Sequence, residues 1–293
     1  MRVLVIGATG FVGGAVARHL GTEGHVVTGL ARSDDAVKTL TAQGIRVLRG
    51  DLDTGVAEAD AVVFAAQPAP DVEQAMVTEL LDAVAGTGKT FVFTSGSGVH
   101  LQRTAGAWSE DSFAEDDPFT VEPLAAGRLA AEDAVRAAAG RGVRAMVVRP
   151  GLIWGPGDHG HVPMIYQSVA RTGAACYVGD GLNTYSHVHV ADVARLFASV
   201  LANGTAGALY HAVAGETPNR WIAEAVARDV GCPTRSLTPG EAVTVWGEFG
   251  ALVLGASSRG RAPRSRAELG WRPEHTDMLT MIGEPRLREL AAA

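Results

Sequence analysis

The first half of the chain alternates between short apolar runs and helix-length segments in which apolar residues recur with helical spacing. Runs this short are typical of buried strands, and the segments between them are long enough to form crossover helices. The pattern therefore predicts an α/β fold, a Rossmann-type doubly wound parallel sheet that binds ligands beyond the carboxyl ends of its strands. The predicted strands lie near residues 2–6, 25–31, 45–49, 61–65, 89–94 and 143–149.

Past the middle of the chain the pattern becomes more helical and predicts a smaller C-terminal lobe. Its first helix is expected over 161–172, and a helix over about 190–202 is expected to return the chain to the sheet. Two units are therefore predicted. A Rossmann-type domain comprises residues 1–159 with about 186–212, and a smaller lobe comprises about 160–185 with 213–293.

The composition and charge of the chain narrow its range of partners. The chain has 293 residues, 47% of them hydrophobic, and a formal net charge of −7. An acidic chain without an offsetting basic cluster argues against a nucleic-acid partner, and no apolar run approaches the roughly 20 residues of a membrane span. The two cysteines are too few for a disulfide framework. We therefore expect a cytoplasmic monomer or homodimer that acts on a small-molecule substrate and has no nucleic-acid or membrane partner.

The first predicted strand runs directly into three glycines with the spacing G-x-x-G-x-x-G, and a helical pattern follows. Gly7 would permit a tight turn, Gly10 would let a pyrophosphate approach the backbone, and Gly13 would let the helix pack closely on the strand. Unpaired N–H groups and the positive end of the helix dipole would then point at one spot. This arrangement predicts a dinucleotide site. The residues between the glycines that are assigned to it are Thr9, Phe11 and Val12.

The end of the second predicted strand indicates which dinucleotide is preferred. Enzymes that select NAD usually place a carboxylate there to accept from the ribose 2′-hydroxyl, whereas this chain has Arg32 followed by Ser33. A guanidinium beside a hydroxyl suits the 2′-phosphate of NADP, through a charge-assisted contact. We therefore predict NADP (NADPH) as the cofactor. The alternative is that Arg32 is a solvated charge at a strand end.

Several short segments along the chain have the pattern of a known family. They are Gly50-Asp51-Leu52, Phe64-Ala65-Ala66-Gln67, Arg149 through Asp158, Val188 through Ala194, and Leu269 through Pro273. Together with the glycine turn, they resemble the extended or atypical branch of the short-chain dehydrogenase/reductase superfamily, which includes nucleotide-sugar epimerases and dehydratases. The resembling motifs extend from residue 3 to residue 273. They are specific for the fold and the cofactor class, and much less so for the reaction.

The resemblance also implies which residues contact the cofactor. The Asp51-Leu52 pair would face the adenine, and the Ala65-Ala66 step would line a ribose. The segment that begins at Arg149 would lie beside the nicotinamide. The cofactor-binding residues implied in this way are Asp51, Leu52, Ala65, Ala66, Gln67, Thr94, Arg128, Pro150, Gly151 and Ile153.

The superfamily's usual catalytic pair is absent from this chain. That chemistry needs a tyrosine four residues before a lysine, so that the two share a helix face and the ammonium lowers the pKa of the phenol. No tyrosine precedes either lysine, Lys38 or Lys89, by four residues. Leu124 stands where the tyrosine belongs, and Arg128 stands where the lysine belongs. Arg128 would keep the positive charge and the contact with the ribose but cannot act as an acid near neutral pH; alternatively, it is a surface arginine on an amphipathic helix.

A non-standard proton donor would have to replace the tyrosine. Ser95 and Ser97 lie in the loop after the fifth predicted strand, near the place where the superfamily keeps its substrate-binding hydroxyl. His100 follows that loop and would titrate at physiological pH, although a lone histidine in a loop is more often structural. Tyr166 and Tyr185 lie in segments that are expected to cover the site. Each of these residues is a candidate catalytic group.

Two pairs of histidines, His159 with His161 and His187 with His189, have a spacing that would suit a metal ion. Because no such metal is usual in the resembling superfamily, we predict none. His159 and His161 are instead expected to line the substrate pocket, beneath a lid formed by the acidic segment 102–121.

The cofactor motifs and the missing pair together favour an NADP-dependent oxidoreductase. It would be a reductase or dehydrogenase acting on a small organic carbonyl, imine or alcohol. One alternative is an epimerase- or dehydratase-type enzyme, although the missing tyrosine counts against those reactions. The other is a non-catalytic NADP-binding sensor, because sensor-like members of the superfamily lack the pair too.

Overall fold

The structure of this protein is a computed structural model that describes residues 1–50, 52–157 and 159–292. The strands are β1 (Arg2–Ile6), β2 (Val26–Ala31), β3 (Arg46–Arg49), β4 (Ala61–Phe64), β5 (Thr90–Thr94), β6 (Arg144–Pro150), β7 (Leu152–Trp154), β8 (Ala175–Val178), β9 (Thr184–His189), β10 (Leu209–Ala212), β11 (Gly215–Pro218) and β12 (Thr234–Leu237). The α-helices are α1 (Phe11–Thr22), α2 (Asp34–Ala42), α3 (Leu52–Glu58), α4 (Pro70–Val84), α5 (Ala126–Ala137), α6 (His161–Thr172), α7 (Val190–Asn203), α8 (Asn219–Val230), α9 (Pro239–Gly255), α10 (Pro263–Leu269) and α11 (Pro285–Ala292). Among the described residues, none of these helices has the length and apolar content that a membrane span requires.

A seven-stranded sheet forms the centre of the molecule, with the order β3-β2-β1-β4-β5-β6-β10. Every neighbouring pair of its strands is parallel. The six predicted strands are therefore confirmed, each to within one residue at either end. The strand order reverses between β1 and β4. In a doubly wound sheet the ligand-binding crevice lies at this reversal. The seventh strand, β10, was not predicted as a strand, because the polar His211 interrupts its short apolar run.

Helices cover both faces of this sheet. On one face α1 and α7 pack together, and their side chains Val16, Leu20 and Phe197 are fully buried. On the other face α4 and α5 pack together and bury Leu80 and Val135. Each such side chain stabilises the fold by about 1.5–3 kcal/mol. Because both faces are covered, the inner positions of the central strands are apolar, as in residues 3–6 of β1 and Ala61–Phe64 of β4.

The C-terminal lobe has its own core, built on α6. That helix spans the predicted residues 161–172 and packs against α8, α9 and α11. Its Tyr166 is fully buried beside Ile222 and Met278. The parallel pair β8 and β12 completes this core. A three-stranded sheet with the order β11-β9-β7 contacts α8 of the lobe through β11 and contacts α7 through β9.

A buried aspartate joins two of the segments that carried the resemblance, through its backbone carbonyl and through residues that directly follow the second segment. Asp192, at the start of α7, accepts hydrogen bonds from the Arg195 guanidinium and from the backbone N–H groups of Glu274 and His275, at 3.0 and 2.8 Å. Burial opposes the charge of Asp192, but these donors outweigh burial and hold its pKa below the usual value. The Trp271 indole donates to the Asp192 carbonyl at 3.0 Å. These two motifs therefore stabilise the fold by binding each other.

Candidate functional site

A cavity of about 620 Å³ opens at the carboxyl ends of β1, β4, β5 and β6, at the edge where the fold predicts a ligand. We refer to it as the cleft. It is lined by Gly7, Thr9, Gly10, Phe11, Val12, Ala65, Ala66, Gln67, Thr94, Ser95, Gly96, Ser97, Gly98, Pro150, Gly151, Leu152, Ile153, His159 and Tyr185. The structure thus brings together most of the residues that were assigned to the cofactor from the sequence.

The floor of the cleft at the β1–α1 turn is backbone. Gly7 has a φ of +88°, and a Cβ on it would lie 2.7 Å from the backbone of Ala65. A Cβ on Gly13 would lie 2.2 Å from the Gly7 carbonyl oxygen, so helix and turn approach closely only because Gly13 has no side chain. The N–H of Gly10 donates to the same oxygen at 2.9 Å. These contacts fix the turn in the conformation that the glycine spacing predicts.

Helix α1 presents its N-terminus to the cleft. Gly10 is the N-cap residue, and no side chain caps the helix or places an acidic group in its first turn. Phe11 and Val12, in that first turn, line the cavity. The N–H groups of a first helical turn have no partner within the helix, and the positive end of the dipole adds to them. The turn therefore has the donors and the polarity to bind a phosphate group.

Three of the assigned cofactor residues, Arg32, Ser33 and Leu52, do not line the cavity. Arg32 is exposed at the end of β2, with its guanidinium 3.9 Å from the sulfur of Met76. Ser33 caps α2 by accepting from the N–H of Ala36 at 3.2 Å, so its hydroxyl serves the helix. Leu52 begins α3 and packs against the core of the sheet. Asp51 lies outside the described residues.

At the opposite end of the cleft, Ser95 begins a chain of buried polar groups. Its hydroxyl donates to the Glu132 carboxylate, which the Arg149 guanidinium also contacts, with Nε 3.0 Å from Oε1. Arg149 donates further to Nε2 of His211 at 3.1 Å. The Nδ1–H of His211 donates to the carbonyl of Arg261 at 2.8 Å, which fixes the neutral tautomer. Because its proton is held by Glu132, Ser95 offers lone pairs to the cleft.

Ser97 and His100 differ in their relation to the cleft. Ser97 lines it, and its carbonyl accepts from the Ser258 hydroxyl at 2.7 Å. His100 does not line it: Nδ1 lies 3.4 Å from Ser258 Oγ, and the ring packs between Phe113 and Phe119. Burial, with the nearby His211 and Arg149, lowers the pKa of His100 to about 3. The expectation that His100 titrates at physiological pH is therefore wrong, and it is not a proton donor to the cleft.

The two candidate tyrosines are in different places. Tyr166 lies inside the C-terminal lobe, where its hydroxyl donates to Asp229 at 2.7 Å and accepts from the N–H of Gly283 at 3.0 Å. Burial and Asp229 raise its pKa to about 12. Tyr166 is therefore a structural residue, contrary to its assignment as a catalytic candidate.

Tyr185 lines the cleft, and no described residue forms a hydrogen bond with its hydroxyl. Burial raises the pKa of Tyr185, so this phenol keeps its proton at neutral pH.

The helix that should carry the missing pair is present as α5, preceded by a 3₁₀ turn over Pro123–Ala125. Arg128 binds the buried carboxylate of Glu73 at 2.7 Å and the Thr94 carbonyl at 3.2 Å, and it does not line the cleft. Glu73 is itself buried, and desolvation raises its pKa although Arg128 opposes that rise. Arg128 thus contacts Glu73 and Thr94 within the protein, and its assignment to the ribose and to catalysis stays a prediction. Leu124 is exposed outside the cleft.

His159 lies at the phosphate end of the cleft, and not in the substrate pocket where it was expected. Its ring stacks on Phe11 with the centroids 4.4 Å apart. The loop that carries it has positive φ angles at Gly155, Gly157 and Gly160, and Arg286 of α11 donates to the carbonyls of Gly155, at 3.2 Å, and Gly157. Three glycines within six residues predict a sharply turning loop, but the position of that loop depends on its contact with α11.

The other three histidines of the two pairs are bound within the protein. Nδ1 of His161 lies 2.7 Å from Oδ1 of Asn219, and burial lowers the pKa of His161 to about 4. His187 accepts from the Trp154 indole at 3.2 Å, and its other ring nitrogen lies 3.3 Å from the hydroxyl of Thr217. His189 caps α7 with its ring. His161 therefore belongs to the core and does not line the substrate pocket.

A model of the NAD dependent epimerase/dehydratase family matches residues 3–214, which include every residue that lines the cleft. The chain belongs to this family. It is 32% identical to the uncharacterized protein C2A9.02 of Schizosaccharomyces pombe, over 96% of this chain and 97% of that protein. It is also 32% identical to the 2-alkyl-3-oxoalkanoate reductase of Stenotrophomonas maltophilia, over 80% of this chain and 77% of that enzyme.

Among solved structures, the dTDP-glucose 4,6-dehydratase of Bacillus anthracis in complex with NAD has the same fold, with a TM-score of 0.74 and 20% identity over 99% of this chain and 95% of that one. The epimerase/dehydratase family depends on a nicotinamide dinucleotide. The cleft of the present member fits such a cofactor, because backbone forms the turn at one end, in a conformation that a Cβ at Gly7 or Gly13 would disrupt by colliding with neighbouring backbone. Residues at the β1–α1 turn would hold the pyrophosphate, and Pro150, Gly151 and Ile153 would lie beside the nicotinamide.

Proposed function

We propose that this protein is an NADP-dependent oxidoreductase that reduces a small organic carbonyl compound, with Tyr185 as the proton donor. The observation that carries the proposal is the content of one cleft. It has a backbone phosphate cradle at one end and, among the described residues, a phenol without a hydrogen-bond partner in its wall. A bound nicotinamide dinucleotide supplies the hydride.

Tyr185 is suited to give a proton and not to take one. Its pKa is raised by burial, so the phenol is protonated at neutral pH. A carbonyl oxygen that receives hydride at its carbon becomes an alkoxide, which is more basic than a phenolate and accepts the proton. Leu124 has no proton to give, and Arg128 is bound to Glu73. Tyr185 would thus replace the tyrosine that the family pattern places at position 124.

Ser95 would orient the other side of the substrate. Its hydroxyl proton is directed to Glu132, which leaves Oγ as an acceptor at the cleft wall. An acceptor in that position suits the N–H of the nicotinamide amide or a hydroxyl of the substrate. Ser97 lines the same wall and keeps a rotatable hydroxyl.

Arg32 supports NADP over NAD. The carboxyl ends of β1, β2 and β3 are neighbours in the sheet, so Arg32 lies beyond the phosphate turn on the side where the adenosine half would extend. Its exposed guanidinium can reach a 2′-phosphate without giving up a carboxylate partner, since its one described side-chain contact is the sulfur of Met76. The name of the similar reductase from Stenotrophomonas maltophilia supports reduction over epimerisation.

The second candidate is an NADP-binding sensor without turnover, which the loss of the Tyr–Lys pair favours. One experiment separates the two. Purified protein is mixed with NADPH and a panel of ketones and aldehydes, and loss of NADPH absorbance is followed alongside the Kd for NADPH. Consumption supports the reductase, whereas tight NADPH binding without consumption across the panel supports the sensor.

The role of Tyr185 is tested by Tyr185→Phe, with Tyr166→Phe as the matched control in the C-terminal lobe. Loss of the proton donor should lower kcat about 10²- to 10⁴-fold while the Kd for NADPH stays unchanged. Tyr166→Phe removes the hydrogen bond to Asp229 and should leave kcat unchanged. An equal kcat for the wild-type protein and Tyr185→Phe would assign the proton to another group.

A further inference from the structure

The loop between β7 and α6 is tied to the C-terminal lobe. Arg286, the second residue of α11, donates to the carbonyls of Gly155 and Gly157 in this loop. Helix α11 is itself anchored, because it packs on α6 and its Leu287 is fully buried in the core of the lobe. The lobe therefore fixes the guanidinium, and the guanidinium fixes the loop. We refer to this segment as the histidine loop.

The histidine loop carries one aromatic ring into the cleft. His159 lines the cavity and stacks on Phe11, the first residue of α1, with the two rings 22° from parallel. The loop backbone packs closely against this pair, because a Cβ on Gly157 would lie 3.3 Å from Cδ2 of His159 and 3.7 Å from Cε2 of Phe11. The imidazole is thus held beside the N-terminus of α1, at the phosphate end of the cleft.

The polar atoms of this imidazole differ from those of the buried histidines. His161, His187 and His211 are buried, and each forms hydrogen bonds with neighbouring groups. His159 is exposed, and no described residue forms a hydrogen bond with either of its ring nitrogens. The backbone around His159 is therefore fixed by the protein, while its N–H group is left for a ligand.

The cleft otherwise lacks charged side chains. Among the described residues that line it there is no lysine, arginine, aspartate or glutamate, and His159 is the one residue whose side chain can become cationic. The pyrophosphate of a dinucleotide carries two negative charges, which need donors or a counter-charge when they leave water. The glycine turn supplies backbone donors, and an imidazole supplies an N–H even when it is neutral.

We infer that His159 binds the pyrophosphate of the dinucleotide by donating an N–H to a phosphate oxygen, and that Arg286 is the positioning residue that holds His159 there. The inference rests on the dinucleotide binding of the proposed function. It does not rest on the reduction step or on the choice of NADP, because NAD and NADP have the same pyrophosphate. It gives α11 a part in cofactor binding, although no described residue of α11 lines the cleft.

The first experiment measures the Kd of the purified protein for NADPH, NADH and ADP-ribose by titration calorimetry. His159→Phe keeps a ring that can stack on Phe11 but has no N–H to donate. It should raise all three Kd values by the same factor, about tenfold, because each ligand has the pyrophosphate and loses a hydrogen bond to a charged group. His159→Gln keeps an N–H donor and should recover part of the loss.

The matched control is His25→Phe. His25 precedes β2, at the edge of the sheet opposite the cleft, and it does not line the cavity. The three Kd values should therefore be those of the wild-type protein.

The second experiment tests Arg286 with Arg286→Met. Loss of its hydrogen bonds to the histidine loop should raise the Kd for NADPH about threefold to tenfold. Arg288→Met is the control on the same helix, because Arg288 binds Asp229 and not the loop. In a chain that already carries His159→Phe, Arg286→Met should raise the Kd little further. A positioning residue acts through the residue it positions, whereas a general structural defect would add to the first effect.

Four results would overturn the inference while the dinucleotide site stands. Wild-type affinity of His159→Phe for all three ligands would remove the phosphate contact. An effect confined to NADPH would assign the contact to the 2′-phosphate, and an effect absent for ADP-ribose would assign it to the nicotinamide half. Additive effects of Arg286→Met and His159→Phe would remove the positioning role. A wild-type protein that binds none of the three ligands gives a different pattern, which overturns the proposed function and this inference with it.

Discussion

The two ends of the cleft are built from different parts of the chain. At the phosphate end the decisive groups are backbone atoms, held by Gly7, Gly10 and Gly13 within one turn. At the other end, the proposed reacting end, they are side chains such as Ser95 and Tyr185, which come from separate elements; Ser95 also depends on the buried Glu132. A backbone site needs only a local conformation, so the spacing of glycines is enough to predict it. A side-chain site needs a network, and its chemistry depends on contacts far apart in sequence.

The buried pair of Glu132 and Arg149 supports the reacting end, and breaking it should have the largest effect. Glu132→Gln leaves Arg149 buried without a counter-charge, which should lower the free energy of unfolding by about 3 kcal/mol or more. Asp82→Asn is the control, because it breaks the exposed Arg141–Asp82 pair and should cost no more than about 1 kcal/mol. Both are measured by urea unfolding.

A double variant sharpens this test. Glu132→Gln with Arg149→Met removes both charges and should recover part of the lost stability, because the uncompensated guanidinium is gone. If the double variant is less stable than Glu132→Gln alone, the main cost does not come from the unpaired charge.

The phosphate end should fail when a side chain is forced into the turn. A Cβ on Gly13 would overlap the Gly7 carbonyl oxygen, so Gly13→Val should raise the Kd for NADPH about 100-fold or more, or roughly 2.7 kcal/mol. Gly21→Ala in the same helix α1 is the matched control, since nothing lies within 4 Å of its added Cβ. Fluorescence titration of NADPH measures both. Unchanged NADPH affinity in folded Gly13→Val would contradict the backbone cradle.

The choice of dinucleotide should respond to Arg32 with a smaller change. Loss of a charge-assisted contact with the 2′-phosphate costs about 1.5–3 kcal/mol. Arg32→Ala should therefore raise the Kd for NADPH about 10- to 100-fold and change the Kd for NADH little. Titrations with the two cofactors under one salt condition measure this, and equal effects on both would leave Arg32 without a role in selecting NADP.

The smallest effect concerns the buried histidines behind the reacting end. Burial, and then Arg149, lower the pKa of His211 to about 3, whereas a histidine in the unfolded chain titrates near 6.5. Below pH 6.5 the unfolded chain binds a proton at this histidine, whereas the folded protein does not. The free energy of unfolding is therefore highest above pH 6.5 and falls as the pH falls toward the pKa of the folded state.

Between pH 7.5 and pH 5.5 this proton uptake by the unfolded chain lowers the free energy of unfolding by about 1.4 kcal/mol for each such histidine. His211→Gln removes one of them, so its free energy of unfolding should fall by about 1.4 kcal/mol less than that of the wild-type protein over the same interval. Urea unfolding at the two pH values measures the difference. The same loss in both proteins would mean that the folded protein takes up a proton at His211 over this pH interval as the unfolded chain does.

The comparison of the two ends also explains which features of the structure could be predicted from the sequence. The strands of the sheet follow from apolar runs, and the turn follows from three glycines, because both are local patterns. The binding of Arg128 to Glu73 joins residues 55 positions apart, and the position of Tyr166 inside the second lobe depends on α8 and α11. No spacing along one helix reveals such contacts. For the same reason His100 and His159 have surroundings that their sequence neighbours did not predict.

The contact between Arg286 and the loop over the phosphate turn also sets an order of events during synthesis. Arg286 lies 129 residues after Gly157, whose carbonyl it binds. At roughly 5–20 residues per second, a ribosome makes the loop on the order of 10 s before it makes the residue that holds it. The β1–α1 turn and the sheet can form in that interval. The hydrogen bonds from Arg286 to this loop can form only after α11 has emerged, so they are among the last contacts of the cleft to be made.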